Sequence, residues 1–183
     1  MEIVLTYRGR IPSKASNKSA IWDMRKSFNH QLRKLWGKEP FDVLKKWEDS
    51  NFTAGGAEFR IHQGEQLFVP LYGNLIGVGV DLDIRLLAGM PTQKAVLSSG
   101  DLDNRIKRII DALQAPAQVG EHIDGLEPNG RWHCLVDNDS AVVGLSAKLG
   151  AFLDGGDPSE SFATIIVRPV PLRVTWANMS MLY

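Results

Sequence analysis

The 183-residue chain reads as an α+β protein: a single domain whose mixed or antiparallel sheet is covered by two or three helices. Three observations predict this class. Strand-like runs outnumber helical ones and do not alternate strictly with them, which argues against a doubly wound parallel sheet. Apolar residues recur at three- and four-residue steps in two long segments. Between Leu75 and Leu87, apolar residues alternate with Gly79, Asp81, Asp83 and Arg85 at a period of two.

Glu2 to Thr6 reads as the first strand, and residues 8–17, with Gly9 and Pro12, as a polar loop. Ser19 to Trp36 fits a helix. Ile21, Met24, Phe28, Leu32 and Leu35 form its stripe, Arg25, Lys26, Arg33 and Lys34 fall mainly off it, and Gly37 ends it. Pro40 opens a short second helix through Trp47, with Phe41, Leu44 and Trp47 on its apolar side. Residues 50–56 suit a turn. Ala57 to His62 and Gln66 to Tyr72 are strands, and Pro70 assigns the second to an edge or a bulge. Leu75 to Leu87 is the third strand of this group. Residues 89–100 lead to a helix that begins near Leu102 and ends before Pro116. A glycine-bearing loop spans 117–130. Arg131 to Val136 and Ala141 to Leu149 are strands separated by a turn at Asp137-Asn138-Asp139-Ser140. After a turn from Asp154, Phe162 to Val167 is the last strand, and residues 168–183, with Pro169 and Pro171, read as an irregular tail.

The hydrophobic fraction of 44% and charged fraction of 23% are ordinary for a globular domain. No apolar run approaches the roughly 18 residues that span a bilayer, and Met1 to Tyr7 does not resemble a signal peptide. A cytoplasmic protein with no membrane partner is therefore expected. The lone cysteine, Cys134, excludes an intrachain disulfide framework and a Cys-based zinc cluster, and suits a buried strand position. Net charge is zero, yet residues 1–38 carry +7 and the remainder −7. A basic arm beside an acidic body suits a metal-dependent enzyme acting on a polyanion, and also suits a solvated basic helix.

The chemistry concentrates in Gly100-Asp101-Leu102-Asp103-Asn104, followed by Lys107 and Asp111. Leu102, Ile106, Ile109, Ile110 and Leu113 define the buried face of this helix, so the acids and the lysine share the polar side. If the chain is extended at its start, Asp101 and Asp103 point the same way. A second acidic element, Asp137-Asn138-Asp139, follows a strand. Together they outline a Mg²⁺ site: hard oxygen ligands, few carboxylates, and room for waters and phosphate oxygens. Plain readings stand beside this one. Asp103 suits a helix N-cap, Lys107 between Asp103 and Asp111 suits a ladder of surface ion pairs, and the second acidic element suits a turn.

These residues resemble the RusA family of Holliday junction resolvases. In that family a Gly-Asp-aliphatic-Asp-Asn-x-x-Lys motif opens a helix ending in Asp-Ala-Leu, and an Asp-Asp pair and a valine-bearing strand follow. The match covers roughly residues 75–150. The resemblance implies a RusA-like fold with insertions near 37–60 and 117–133. It also implies a homodimeric, Mg²⁺-dependent (or Mn²⁺-supported) endonuclease of phage or prophage origin that cuts branched DNA in recombination and repair. By position, Asp101, Asp103 and Asp139 are the implied metal and catalytic carboxylates, Asp137 a further ligand, and Lys107 the catalytic lysine. Asn138 stands where the first acid of the pair usually sits. Arg8, Arg10, Lys14 and Lys18, after the first strand, are the candidates for DNA-backbone contacts.

Two other functions stay open on the sequence. Asn138 and the neutral charge suit a RusA-like DNA-binding or assembly module without catalysis; a metal-dependent nucleotide phosphohydrolase is the third reading. Asp81 and Asp83 suit a solvated strand face, His30, His62, His122 and His133 show no ligand spacing, and Trp22, Trp36 and Trp47 suit core or dimer contacts. No phosphate-binding glycine loop and no nucleophile elbow occurs.

Overall fold

A computed structural model describes residues 2–14, 18–39, 41–48, 59–88, 99–116, 130–153, 157, 159–176 and 178–179, with the backbone alone at 43, 46, 47 and 99–101. Seven strands and two α-helices appear among them: β1 (Ile3–Gly9), α1 (Lys18–Arg33), β2 (Ile61–Gln63), β3 (Gln66–Tyr72), β4 (Val78–Ala88), α2 (Ser99–Leu113), β5 (Arg131–Val136), β6 (Val142–Ala151) and β7 (Ser161–Pro171). The class is α+β, but the strands form two mixed sheets rather than one. The larger has the order β1-β7-β4-β6 and the smaller β2-β3-β5. β4 pairs antiparallel with β7 and parallel with β6, and β3 pairs antiparallel with β2 and parallel with β5.

The period-two reading of β4 is met in three dimensions. Leu82, Ile84 and Leu86 are fully buried, whereas Asp81 and Asp83 are half-buried and Arg85 is exposed. The acids are thus less solvated than a plain strand face implies. Asp81 lies over Gly144 of β6, where a Cβ would come within 2.5 Å of its Oδ1. Met24, Phe28 and Leu32 of α1 join Ile106, Ile109 and Leu113 of α2 in the core that covers the sheet. Each such side chain contributes about 1.5–3 kcal/mol on full burial.

Several boundaries differ from the expectation, for local reasons. α1 stops at Arg33, and Leu35–Gly37 continues as a 3₁₀ turn; the segment Phe41–Glu48 is also 3₁₀. Residues 50–56, 89–98, 117–129 and 154–156 lie outside the described residues. β3 is the middle strand of its sheet, not an edge. Pro70 is tolerated because β2 pairs only with residues 66–68, so β3 has a single neighbour at Pro70. The tail begins later than expected, since β7 runs on to Pro171. Pro169 and Pro171 are two apart, so their missing N–H groups fall on one edge, beyond the end of β1. The other edge of β7 is paired with β4 there.

Arg25 belongs inside, although the helical stripe left it out. It is 6% exposed, donates from Nη2 to the Asp111 carbonyl at 2.5 Å, and lies 4.5 Å over the Trp22 ring. Carbonyls in the last turn of a helix have no intrahelical donor, so this cation caps the C-terminal end of α2 and opposes its dipole. Burial lowers the Arg25 pKa to about 10, which still leaves it charged at neutral pH. Cys134 is buried in β5, as its type suggested, and burial pushes its thiol up to about 12.

His133 is buried too. Its Nε2 lies 2.8 Å from Glu48 Oε1, and its ring is 4.8 Å from that of Trp36. Arg131 also reaches Glu48, at 2.5 Å. Burial lowers the His133 pKa below its ordinary 6.5, against the opposing pull of Glu48. The unfolded chain then binds a proton that the folded chain refuses, so stability is lost as pH falls through the unfolded value. Urea midpoints measured from pH 7.5 down to 5.5 should therefore fall, and the slope should flatten in His133→Gln. An unchanged slope in that variant would assign the effect to other groups.

Residues after β7 are pinned to the turn before β4. Asn178 is 1% exposed; its Nδ2 donates to the Ile76 and Arg173 carbonyls, each at 2.7 Å, and its Oδ1 accepts from the Thr175 N–H at 2.8 Å. Gly77 sits there at φ +77°, and a Cβ on it would come within 2.9 Å of the Arg173 carbonyl. Asn178→Ala leaves buried carbonyls unpaired and should cost about 1–3 kcal/mol. A lower urea midpoint at constant m-value is the expected readout.

Candidate functional site

α2 carries the first part of the predicted site. It begins at Ser99, so Asp103 is its fifth residue and not its N-cap. Asp103 and Lys107 are exposed, whereas Ile106 and Ile109 are buried, and neither the Asp103 nor the Lys107 side chain bonds to another described residue. Asp111 is different: its carboxylate pairs with Arg108 at 2.5 Å. The ion-pair ladder through Lys107 is therefore not formed. The backbone of Asp101 lies in the first turn of α2, and its side chain is outside the described residues.

The second part is the turn after β5. Asp137 continues the strand pairing, its N–H donating to the Tyr72 carbonyl at 3.2 Å. Its carboxylate folds back over the neighbouring turn. Oδ2 accepts from the Asn74 N–H at 3.1 Å and Oδ1 from the Asn138 N–H at 2.7 Å. Only glycine fits at position 73, because a Cβ there would come within 2.5 Å of the Asp137 carboxylate. Partial burial raises the Asp137 pKa above its ordinary value, outweighing the backbone N–H groups that lower it. Asn138 accepts at Oδ1 from both the Ser140 N–H (3.0 Å) and the Ser140 hydroxyl, and Asn74 Nδ2 donates to that hydroxyl at 2.7 Å. Asp139 opens the 3₁₀ turn Asp139–Ala141; its side chain is exposed and has no partner among the described residues.

Backbone contacts join the two parts at one end of α2. The Ala115 N–H donates to the Val136 carbonyl at 3.4 Å, and Gln114 forms a bridge with Val136. Asp103 stands about 16 Å further up the helix axis, at 1.5 Å per residue. Among the described residues, which leave out the Asp101 side chain, no three His, Cys, Asp or Glu side chains form a group able to hold a metal ion. The donors do suit a hard divalent cation in kind: Asp103 and Asp139 offer uncommitted carboxylates. Each Asp137 oxygen serves one backbone N–H and keeps one lone pair for a further partner.

The basic candidates are spread over the start of the chain. Arg8 of β1 pairs with Glu160 at 2.9 Å and lies 5.4 Å over the Phe152 ring. Arg10, Lys14 and Lys18 are exposed, the last at the start of α1. Beside the acidic turn opens a cavity of 280 Å³, lined by residues that include Phe59, Arg60, Asn74, Leu75, Asp137 and Asn138. Asn74 and Arg60 carried no sequence signal. Asn74 stands out only as an amide in a glycine-flanked turn, and its partner Ser140 is 66 residues away. Among the described residues, no helix is long and apolar enough to cross a membrane. Compared with family models, curated proteins and solved structures, the chain finds no match.

Proposed function

We propose that the chain is a divalent-metal-dependent, structure-selective DNA endonuclease with a RusA-like fold, cutting Holliday junctions or other branched DNA as a homodimer. One observation carries the reading. Asp103, Lys107 and Asp139 project exposed side chains with no described partner, while the neighbouring Asp111 is bound to Arg108. A helix cap and an ion-pair ladder therefore do not account for Asp103 and Lys107, while Asn138 and Asp139 do form the turn that their types suit. Asp103 would hold the Mg²⁺ together with Asp101 and Asp139, which requires the first turn of α2 to open into extended chain, so that the two acids point the same way, and the turn after β5 to approach them. The bound ion supplies an activated water and charge neutralisation at the scissile phosphate. Lys107 keeps a free ammonium for the charge that builds on the phosphate. Arg10, Lys14 and Lys18 position the DNA backbone without reading sequence. Arg8 joins them only by giving up Glu160. A two-fold assembly matches the two equivalent cuts of a junction.

The test is incubation of the full chain with a synthetic four-way junction and with the corresponding linear duplex, in Mg²⁺ or in EDTA. Paired, symmetric cuts in the junction that require Mg²⁺ are expected. A Mg²⁺-independent gel shift with no cuts at any metal concentration would replace the enzyme by a non-catalytic binding module. Asn138 favours that second reading, because a neutral amide whose oxygen is engaged by Ser140 stands where an acid would supply a carboxylate.

A further inference from the structure

The cavity beside the acidic turn is not needed by the metal or by the lysine. It combines four features: a carboxylate, two carboxamides, the buried Arg60 guanidinium and an apolar wall. Asp137 is fixed by the Asn74 and Asn138 N–H groups, so its carboxylate needs no reorganisation to receive a ligand. Each of its oxygens keeps a second lone pair. Asn138 has its oxygen engaged by Ser140, which turns its Nδ2 into the donor left for other partners. Asn74 is the mirror case, with Nδ2 on Ser140 and its Oδ1 left as an acceptor. Phe59 supplies an aromatic surface, and Leu75, 55% exposed, stands at the solvent side. Its 280 Å³ lies just below the roughly 300–1,000 Å³ usual for small-molecule sites, the scale of one ring system rather than a whole nucleotide.

We propose that this cavity receives one unstacked guanine base of the branched DNA substrate, with Asp137 accepting from its adjacent N1–H and N2–H donors. The inference rests on the nuclease reading for the source of the base. A carboxylate with two oxygens matches two neighbouring donors on one edge, which among the four bases only guanine presents. The Asn138 amide is the donor for the guanine oxygen, and the apolar wall takes the ring faces, as in pockets that hold bases taken out of the stack.

Titration of the ¹⁵N-labelled full chain in EDTA tests this without any cleavage. The probes are dGMP, dTMP and deoxyribose 5-phosphate. Shifts of the Asn74 and Asn138 side-chain amides with dGMP are expected, at least tenfold weaker binding of dTMP, and none by the sugar phosphate. Equal shifts with the base-free probe, or none with dGMP, would overturn the proposal. Asp137→Asn should weaken dGMP at least tenfold. Leu75→Trp, a change at a half-exposed side chain, should block it independently while the rest of the spectrum stays dispersed. Unchanged dGMP binding in Leu75→Trp counts against the cavity. For the source, a four-way junction with one unpaired guanine should displace dGMP at least tenfold better than the same junction with an abasic site there. Equal displacement, or none, would assign the cavity to free nucleotides and overturn the DNA source. A chain that binds guanine yet cuts no junction keeps the cavity and loses the nuclease reading; cutting without any guanine shift removes the cavity alone.

Discussion

Asp103→Asn should lower Mg²⁺-dependent junction cleavage by about 10³-fold, the scale of losing one preorganised electrostatic stabiliser. The substitution keeps the shape of the side chain and removes its charge. Asp103 is exposed and bonds to no other described residue, so folding should be untouched. Binding of the junction should persist or tighten, since one negative charge near the phosphates is gone. Asp111→Asn on the same helix is the control. Its carboxylate serves Arg108, so cleavage should stay near wild type. Single-turnover cleavage and a gel shift, run on both variants, give the comparison. Equal turnover by Asp103→Asn and wild type would remove this residue from the metal site.

The largest effect on stability is expected from Phe28→Ala. Phe28 is 1% exposed and its ring lies 6.1 Å from that of Tyr7, so it ties α1 to the first strand of the larger sheet. Truncation loses the transfer energy of the ring and leaves a cavity that a sheet-backed site cannot close, for a cost of about 3–5 kcal/mol. Whole domains hold only about 5–15 kcal/mol, so a sharp fall in urea midpoint should follow. His30→Ala, at an exposed position of the same helix, should stay within about 0.5 kcal/mol of wild type. A small effect of Phe28→Ala would mean that α1 is not held to the sheet through this face.

Much of this architecture was legible because period and burial are the same information. The stripe Met24, Phe28 and Leu32 and the alternation Leu82, Ile84 and Leu86 each name the face that the core covers. Elements whose ends depend on neighbours were less legible. Pro70 reads as an edge residue, yet β3 is a middle strand because β2 is too short to reach it. Pro169 and Pro171 read as a broken tail, yet β7 continues because both face its open edge. His133 and Arg25 read as ordinary polar positions. Burial became affordable only through Glu48 in one case and the end of α2 in the other.

The candidate site divides along the same line. The spacing of Asp103 and Lys107, four apart, places them side by side on one helix, because a helix advances about 3.6 residues per turn whatever surrounds it. Sequence alone therefore determined which faces are buried and which residues are offered to solvent. Tertiary structure decided which offered residues are already engaged. Arg108 takes Asp111, backbone N–H groups from two separate turns take Asp137, and the cavity beside it is closed by Phe59 and Asn74 from distant parts of the chain. Local spacing is set by backbone geometry, whereas a partner tens of residues away is chosen by how the sheets and helices pack.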